Sequence, residues 1–190
     1  MRPLALAGGL AAALLAASPA AINAAAMSAD KFTLSSPDIK PGSTIADKFV
    51  LNDFGCTGQN VSPALSWSGA PAETKSFVLT IYDPDAPTGG GWWHWVMFNI
   101  PASVTSLPEG AGVPGKEPAG AVQGTTDFGK PGFGGPCPPK GDKPHHYIFT
   151  VYALKTDKLD LPAAAMPDLV GFMTHFATLG KATFTARYGR

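Results

Sequence analysis

Residues 76–100 read SFVLTIYDPDAPTGGGWWHWVMFNI. Two runs rich in β-branched and aromatic residues, Ser76–Asp83 and Trp93–Ile100, flank a connection built from Pro, Asp and Gly. Runs of this kind bounded by turn residues read as strands. His146–Leu154 and Ala182–Tyr188 have the same character, and Lys48–Asn52 and Ala64–Trp67 are shorter candidates. Phe32 to Ile45 is polar and Pro-punctuated, a loop or an edge-strand entry. Only Leu169, Phe172, Met173, Phe176 and Leu179 recur at three- and four-residue steps. With Pro167-Asp168 before them and Gly180 after, they predict one clear helix. A weaker short helix is expected over Pro162–Ala165.

Of the 190 residues, 22 are Gly and 19 are Pro, which leaves little room for long helices. Disorder is excluded by a hydrophobic content of 45% with 11 Phe, 4 Trp and 4 Tyr. Collagen is excluded because the Gly residues have no three-residue period. A mostly β, loop-rich globular chain remains. Lys and Arg number 14 against 14 Asp and Glu, so no net field recruits DNA, RNA or an anionic membrane surface. No repeat or linker divides the chain. Between Pro84 and Pro144 lie 13 Gly and 11 Pro, in one strand and otherwise long loops. Loops of that length commonly carry function.

At the N-terminus, Arg2 precedes an apolar run from Leu4 to Ala17, then Ser18-Pro19 and the small residues Ala24, Ala25 and Ala26. This is the charged, apolar and cleavage-site order of a secretory signal peptide. The run is shorter than the ~20 residues of a membrane span, and no Cys marks a lipoprotein site. No integral membrane anchor is therefore expected after cleavage. The expected organisation is a signal peptide over 1–26 and one domain over 27–190, exported to the periplasm or secreted. In that oxidising compartment Cys56 and Cys137 are expected to form a disulfide. A reactive thiol at Cys137 is the alternative.

Strand alternation assigns polar groups to faces. Asp83 continues the apolar face of Phe77, Leu79 and Ile81. His94 shares a face with Val96 and Phe98. His145 shares one with Tyr147 and Phe149, while His146 points the other way. An acid and two histidines at the ends of apolar faces need partners, whether each other, a ligand or a metal. Plainer readings exist for each. Asp83-Pro84-Asp85 suits a turn, His94 a hydrogen-bonded core position, Trp92, Trp93 and Trp95 packing, and Gly134–Pro139 a rigid turn. Three segments that all place polar groups at strand ends weigh against purely structural roles.

Common catalytic patterns are missing. Gly110–Glu117 (GAGVPGKE) and Gly124–Pro131 (GTTDFGKP) approach a phosphate loop but lack the Ser or Thr after Lys and the following helix. No Gly-x-Ser-x-Gly elbow places a serine nucleophile. Neither HExxH nor paired Cys-x-x-Cys offers a zinc site. No cofactor and no metal is expected, although His94, His145 and Asp83 leave a two-histidine, one-carboxylate arrangement open.

Three motifs stand in order: DPDAP at Asp83–Pro87, WWHWVMFNIP at Trp92–Pro101 and GGPCPPKGDKPHHYIFTVYAL at Gly134–Leu154. With this spacing the chain, from Phe32 to its last strand, resembles the phosphatidylethanolamine-binding protein family. It is most similar to the bacterial Raf-kinase-inhibitor-like branch. The resemblance implies antiparallel β-sheets packed together with a few short peripheral helices. It also implies a small pocket for phosphate-type groups such as a phosphoethanolamine head. Carried over by motif, the ligand-binding residues are Asp83, Asp85, His94, the Gly135-Pro136 wall, His145 and Tyr147, with His146 left out. A homodimer is compatible with the resemblance. The signal peptide and cysteine pair set the chain apart from the cytosolic kinase regulators among eukaryotic relatives.

The leading expectation is thus an exported, non-catalytic protein that binds a small anionic or phosphoryl ligand. His and Tyr donors can hold phosphate oxygens, and Gly and Pro let backbone amides approach. Asp83 would accept a proton from a histidine or meet a ligand amine. Two other classes stand beside it. One is a protein-interaction module that inhibits a protease or kinase-type partner through its rim loops. The other is a hydrolase of a small ester or phosphoester that uses His94 and Asp83 as an acid–base pair.

Overall fold

The computed structural model describes residues 31–190, so the expected signal peptide lies outside the described residues. The elements run β1 (Thr33–Ser35), β2 (Leu65–Ser68), β3 (Ser76–Asp83), β4 (Trp92–Pro101), β5 (Ser106–Leu107), β6 (Val122–Gln123), β7 (His145–Leu154), α1 (Pro167–Ala177) and β8 (Thr178–Tyr188). The strands form a five-stranded sheet of order β6-β4-β3-β7-β8 and a three-stranded sheet of order β1-β2-β5. Every pairing in both is antiparallel.

Period-2 alternation builds two cores on the large sheet. From one face, Phe77, Leu79 and Ile81 of β3 and Tyr147, Phe149 and Val151 of β7 pack against Leu34, Leu65, Trp67 and Leu107 of the small sheet. The other face carries Val78, Val96, Phe98 and Leu154, covered by Val170 and Ala177 of α1 and by Leu159 and Ala165. The result is the mostly β architecture of packed antiparallel sheets, with α1 at its periphery. Cys56 and Cys137 are joined in a disulfide across 81 residues, so neither is a free thiol. Closing such a loop contributes roughly 4 kcal/mol in the chain-entropy model.

Several local expectations yield to tertiary structure. Lys48–Asn52 is not a strand: Asp47–Phe49 forms a 3-10 turn, and Leu51 donates its N–H to the Pro136 carbonyl (3.1 Å) rather than to a ladder. Pro162–Ala165 is a turn closed by the Ala165 N–H on the Pro162 carbonyl (2.9 Å). The helix starts at Pro167, which has no N–H to waste there, but ends at Ala177, before Gly180. Thr178 bonds its hydroxyl to the Thr174 carbonyl (2.7 Å), and pairing with β7 from Leu154 onward makes Thr178 and Leu179 strand residues. The stripe that marks the helix also faces outward. Phe172 and Phe176 are 61% and 60% exposed, while Val170, Thr174 and Ala177 turn to the sheet.

The face expected for His94 is corrected as well. Ile81 pairs with Trp95 and Tyr82 with Trp93, so His94 is an extra residue in β4. This β-bulge breaks the alternation. Val96 and Phe98 face the helix side, whereas His94 turns with Trp95 toward the inter-sheet side and packs edge-on against Tyr147 (5.1 Å between ring centres).

Candidate functional site

In the antiparallel order β4-β3-β7, the end of β3 lies beside the beginnings of β4 and β7. The last residue of β3, Asp83, therefore meets His94 from β4 and His145 and Tyr147 from β7. These four line a cavity of about 200 Å³ whose walls include Trp92, Phe128, Pro138 and Pro139.

Asp83 is buried and both its oxygens are engaged. Oδ2 lies 2.7 Å from Nδ1 of His145, and Oδ1 accepts the N–H of Asp85 (2.8 Å). The second bond spans two residues and turns the chain at Pro84, so the DPD segment is both a turn and a carboxylate mount. The other ring nitrogen of His145, Nε2, is 3.5 Å from Asp142. Asp83 thus hydrogen-bonds His145 rather than His94, on which its charge acts without a direct bond. Among the described residues no three His, Cys, Asp or Glu side chains are grouped to hold a metal ion.

His94 sits 4% exposed, between the Phe128 and Tyr147 rings. Its Nδ1 is 2.8 Å from the Gly134 carbonyl, and the Gly134 N–H bonds the His94 carbonyl at the same distance. A carbonyl only accepts, so Nδ1 carries the proton. Burial pushes the His94 pKa down to about 4, against the opposing pull of that carbonyl and of Asp83. The ring is therefore neutral near pH 7, with Nε2 an acceptor. Tyr147 is held protonated: burial, then the neighbouring Asp83 charge, raises its pKa. Its hydroxyl is buried beside the Asp83 carboxylate, and hydrogen bonding to that carboxylate also favours the protonated phenol.

Three expected ligand residues, Asp85, Gly135 and Pro136, are not among those lining this cavity. Asp85 is exposed and bonded to His146, both to its N–H (2.7 Å) and its Nδ1 (2.7 Å). Partial burial alone would raise the Asp85 pKa, but these bonds lower it on balance. The Gly135 N–H is donated to Asn60 (2.7 Å), so it is not free for an anion. A Cβ at Gly135 would strike the Phe49 carbonyl, so close backbone passage explains this glycine. Pro136 lines a small void of about 10 Å³ behind His94. The wall of the open cavity is instead Cys137–Pro139, tied by the disulfide to the Phe54–Cys56 turn. Arg190 reinforces that tie, bonding the Pro138 (2.7 Å) and Gly55 (2.8 Å) carbonyls.

Phe128 and Arg190 had no signal in the linear sequence, and Gly134 read only as part of a turn motif, because each acts on a residue remote along the chain. Of the three tryptophans, Trp92 lines the cavity, Trp93 bonds Asp168 (3.0 Å) and Trp95 bonds Gln123 in the core (2.8 Å).

The sequence profile described as phosphatidylethanolamine-binding protein matches residues 35–189. The UPF0098 protein YbcL of Escherichia coli is 54% identical over 159 residues, covering 83% of this chain and 87% of that protein. The chain belongs to the phosphatidylethanolamine-binding protein family. Within this family, the UPF0098 protein YbhB of Escherichia coli is 48% identical, covering 82% of this chain and 98% of that protein. The crystal structure of Escherichia coli YbcL, described as a new member of the mammalian PEBP family, superposes with a TM-score of 0.82. It is 53% identical over 84% of this chain and 98% of its own. A Chlamydia trachomatis homologue reaches a TM-score of 0.71 at 32% identity, over 84% of this chain and 97% of its own. The matched span contains Asp83, His94, His145 and Tyr147.

Proposed function

We propose that the mature chain is an exported, non-catalytic binding protein for a small anionic or phosphoryl ligand, taken up between Asp83, His94, His145 and Tyr147. One observation carries this reading: Asp83, His94, His145 and Tyr147, brought from three different strands, meet at one open cavity. Aromatic and proline walls exclude water and strengthen the few hydrogen bonds available. No Lys or Arg lines the cavity, which keeps affinity modest.

Export is supported by the signal-peptide order of residues 1–26 and by the disulfide, a bond that persists in oxidising compartments. Among the described residues no helix is long and apolar enough to cross a membrane. A non-catalytic role is supported by the lining. Its cysteine is oxidised, its Thr88 hydroxyl is donated to Gly91, and both Asp83 oxygens are committed. Titrating the protein with O-phosphoethanolamine while following the His94 and His145 ring resonances tests the reading. Both rings shift at millimolar ligand, and His94→Ala weakens binding without unfolding. Unmoved rings beside shifts on another surface overturn it.

A protein-contact role has its own support in the outward stripe of α1, with Met166, Leu169, Phe172 and Phe176 exposed. Contiguous apolar surface of this kind marks interaction sites. Sedimentation of the wild type against the Phe172→Ser, Phe176→Ser double variant tests self-association through that face. Equal monomer content in both removes the homodimer.

A further inference from the structure

The two sulfurs of the Cys56–Cys137 disulfide have unlike surroundings. Cys56 is 7% exposed and packs with Val50 and Leu51 in a small apolar cluster. Cys137 is half-buried and lines the open cavity beside Phe54, Pro138 and Pro139, whereas Cys56 does not line it. Thiol–disulfide exchange needs a thiolate to reach one of the two sulfurs, so access decides which is attacked. We infer that Cys137 is a modification site for small external thiols, reached through the cavity, and that a ligand held in the cavity shields it. The shielding rests on the proposed binding role; the choice of sulfur does not.

The step is an exchange at sulfur. The attacking thiolate forms an S–S bond to Sγ of Cys137 as the Cys56–Cys137 bond breaks. The electron pair of that bond leaves on Sγ of Cys56, which takes a proton from water. The external sulfur is thereby oxidised to a mixed disulfide and Cys56 is reduced to a thiol.

Two features make this adduct short-lived. Apolar surroundings raise the pKa of a thiol, so Cys56, among Val50 and Leu51, is a reluctant leaving group. Arg190 also keeps the broken ends together. Its guanidinium donates to the Phe54 (3.3 Å) and Gly55 (2.8 Å) carbonyls just before Cys56 and to the Pro138 carbonyl (2.7 Å) just after Cys137. The Cys56 N–H, in turn, is held by the Asp53 carbonyl (2.9 Å). Once deprotonated, Cys56 therefore attacks the mixed disulfide from close by, an intramolecular step with a high effective concentration. It expels the external thiolate and restores the cross-link. The cavity wall is thus open to reversible thiol modification when empty and closed to it when filled.

The test is to expose the protein to millimolar 2-mercaptoethanol, quench with mild acid and N-ethylmaleimide, and map the peptides by mass. The thiol adduct lies on Cys137 and the maleimide on Cys56, and removing the thiol before the quench restores the disulfide. An adduct on Cys56, an even division between the two sulfurs, or no adduct overturns the inference. Even division is the signature of attack on unfolded chain. With O-phosphoethanolamine present at about ten times its Kd, adduct formation slows about tenfold, because only the empty fraction reacts. An unchanged rate while the His94 and His145 ring resonances report saturation overturns entry through the cavity and leaves the anion-binding role standing. Rings that stay unmoved at every ligand concentration overturn the binding role instead, and the adduct map then decides the choice of sulfur alone.

Discussion

At the shared end of β3, β4 and β7, Trp92, His94, Phe128 and Tyr147 close around a buried carboxylate. On α1, a similar set of side chains, Phe172, His175 and Phe176, meet edge to face in solvent. The contrast shows that residue type alone does not decide burial. At the strand ends, three segments and two loops converge, so each ring has neighbours on several sides. α1 has the sheet on one side only, and its smaller residues Val170, Thr174 and Ala177 take that side. Close packing of a short helix on a twisted sheet favours small contacts there and turns the bulkier stripe outward.

The largest expected effect concerns what holds the pocket end together. Reducing the Cys56–Cys137 disulfide lowers stability by roughly 4 kcal/mol, read as a fall in the urea midpoint. An unchanged midpoint would show that the pocket wall does not depend on this cross-link. Asp83→Ala comes next, at about 3 kcal/mol, because it strands the buried His145 ring and the Asp85 amide. A loss below about 1 kcal/mol breaks the claim that the carboxylate is structurally committed.

His94 supplies a pH dependence that α1 lacks. Its folded pKa of about 4 lies below the ordinary histidine value of 6.5, so the unfolded chain binds the extra proton between those values. The contribution is fully present above about pH 6.5 and is lost as pH falls toward 4, by up to about 3 kcal/mol. Unfolding free energies of wild type and His94→Gln from urea titrations should diverge by this total across that pH window, and parallel curves would sink the assignment. The smallest effects sharpen the comparison within α1. Val170→Ala costs about 2 kcal/mol, while Phe172→Ser stays within about 0.5 kcal/mol. A large loss at Phe172 would mean that its exposure is not the monomer's state.

Much of this was legible in the linear chain. Residue type and Pro/Gly punctuation located β3, β4, β7 and most of β8, since those properties are local. Alternation put Asp83 on the inter-sheet face with Phe77, Leu79 and Ile81, and set His145 apart from His146, because β3 up to Ile81 and β7 keep an unbroken period. The same rule failed at His94, where a single bulged residue shifts the phase. It could not foresee the reversed α1 face either, since both stripes of the helix repeat at helical spacing.

Composition, alternation and motif order already specify a β-rich, two-cysteine member of its family with an acid, two histidines and a tyrosine at strand ends. Which of them meet is settled by the packing of strands and loops. Asp83 meets His145 across 62 residues and His94 meets Gly134 across 40, distances along the chain at which no local pattern operates. Strand register and one bulge set those partners. The partners, in turn, set the His94 tautomer, and with it the polarity of the pocket.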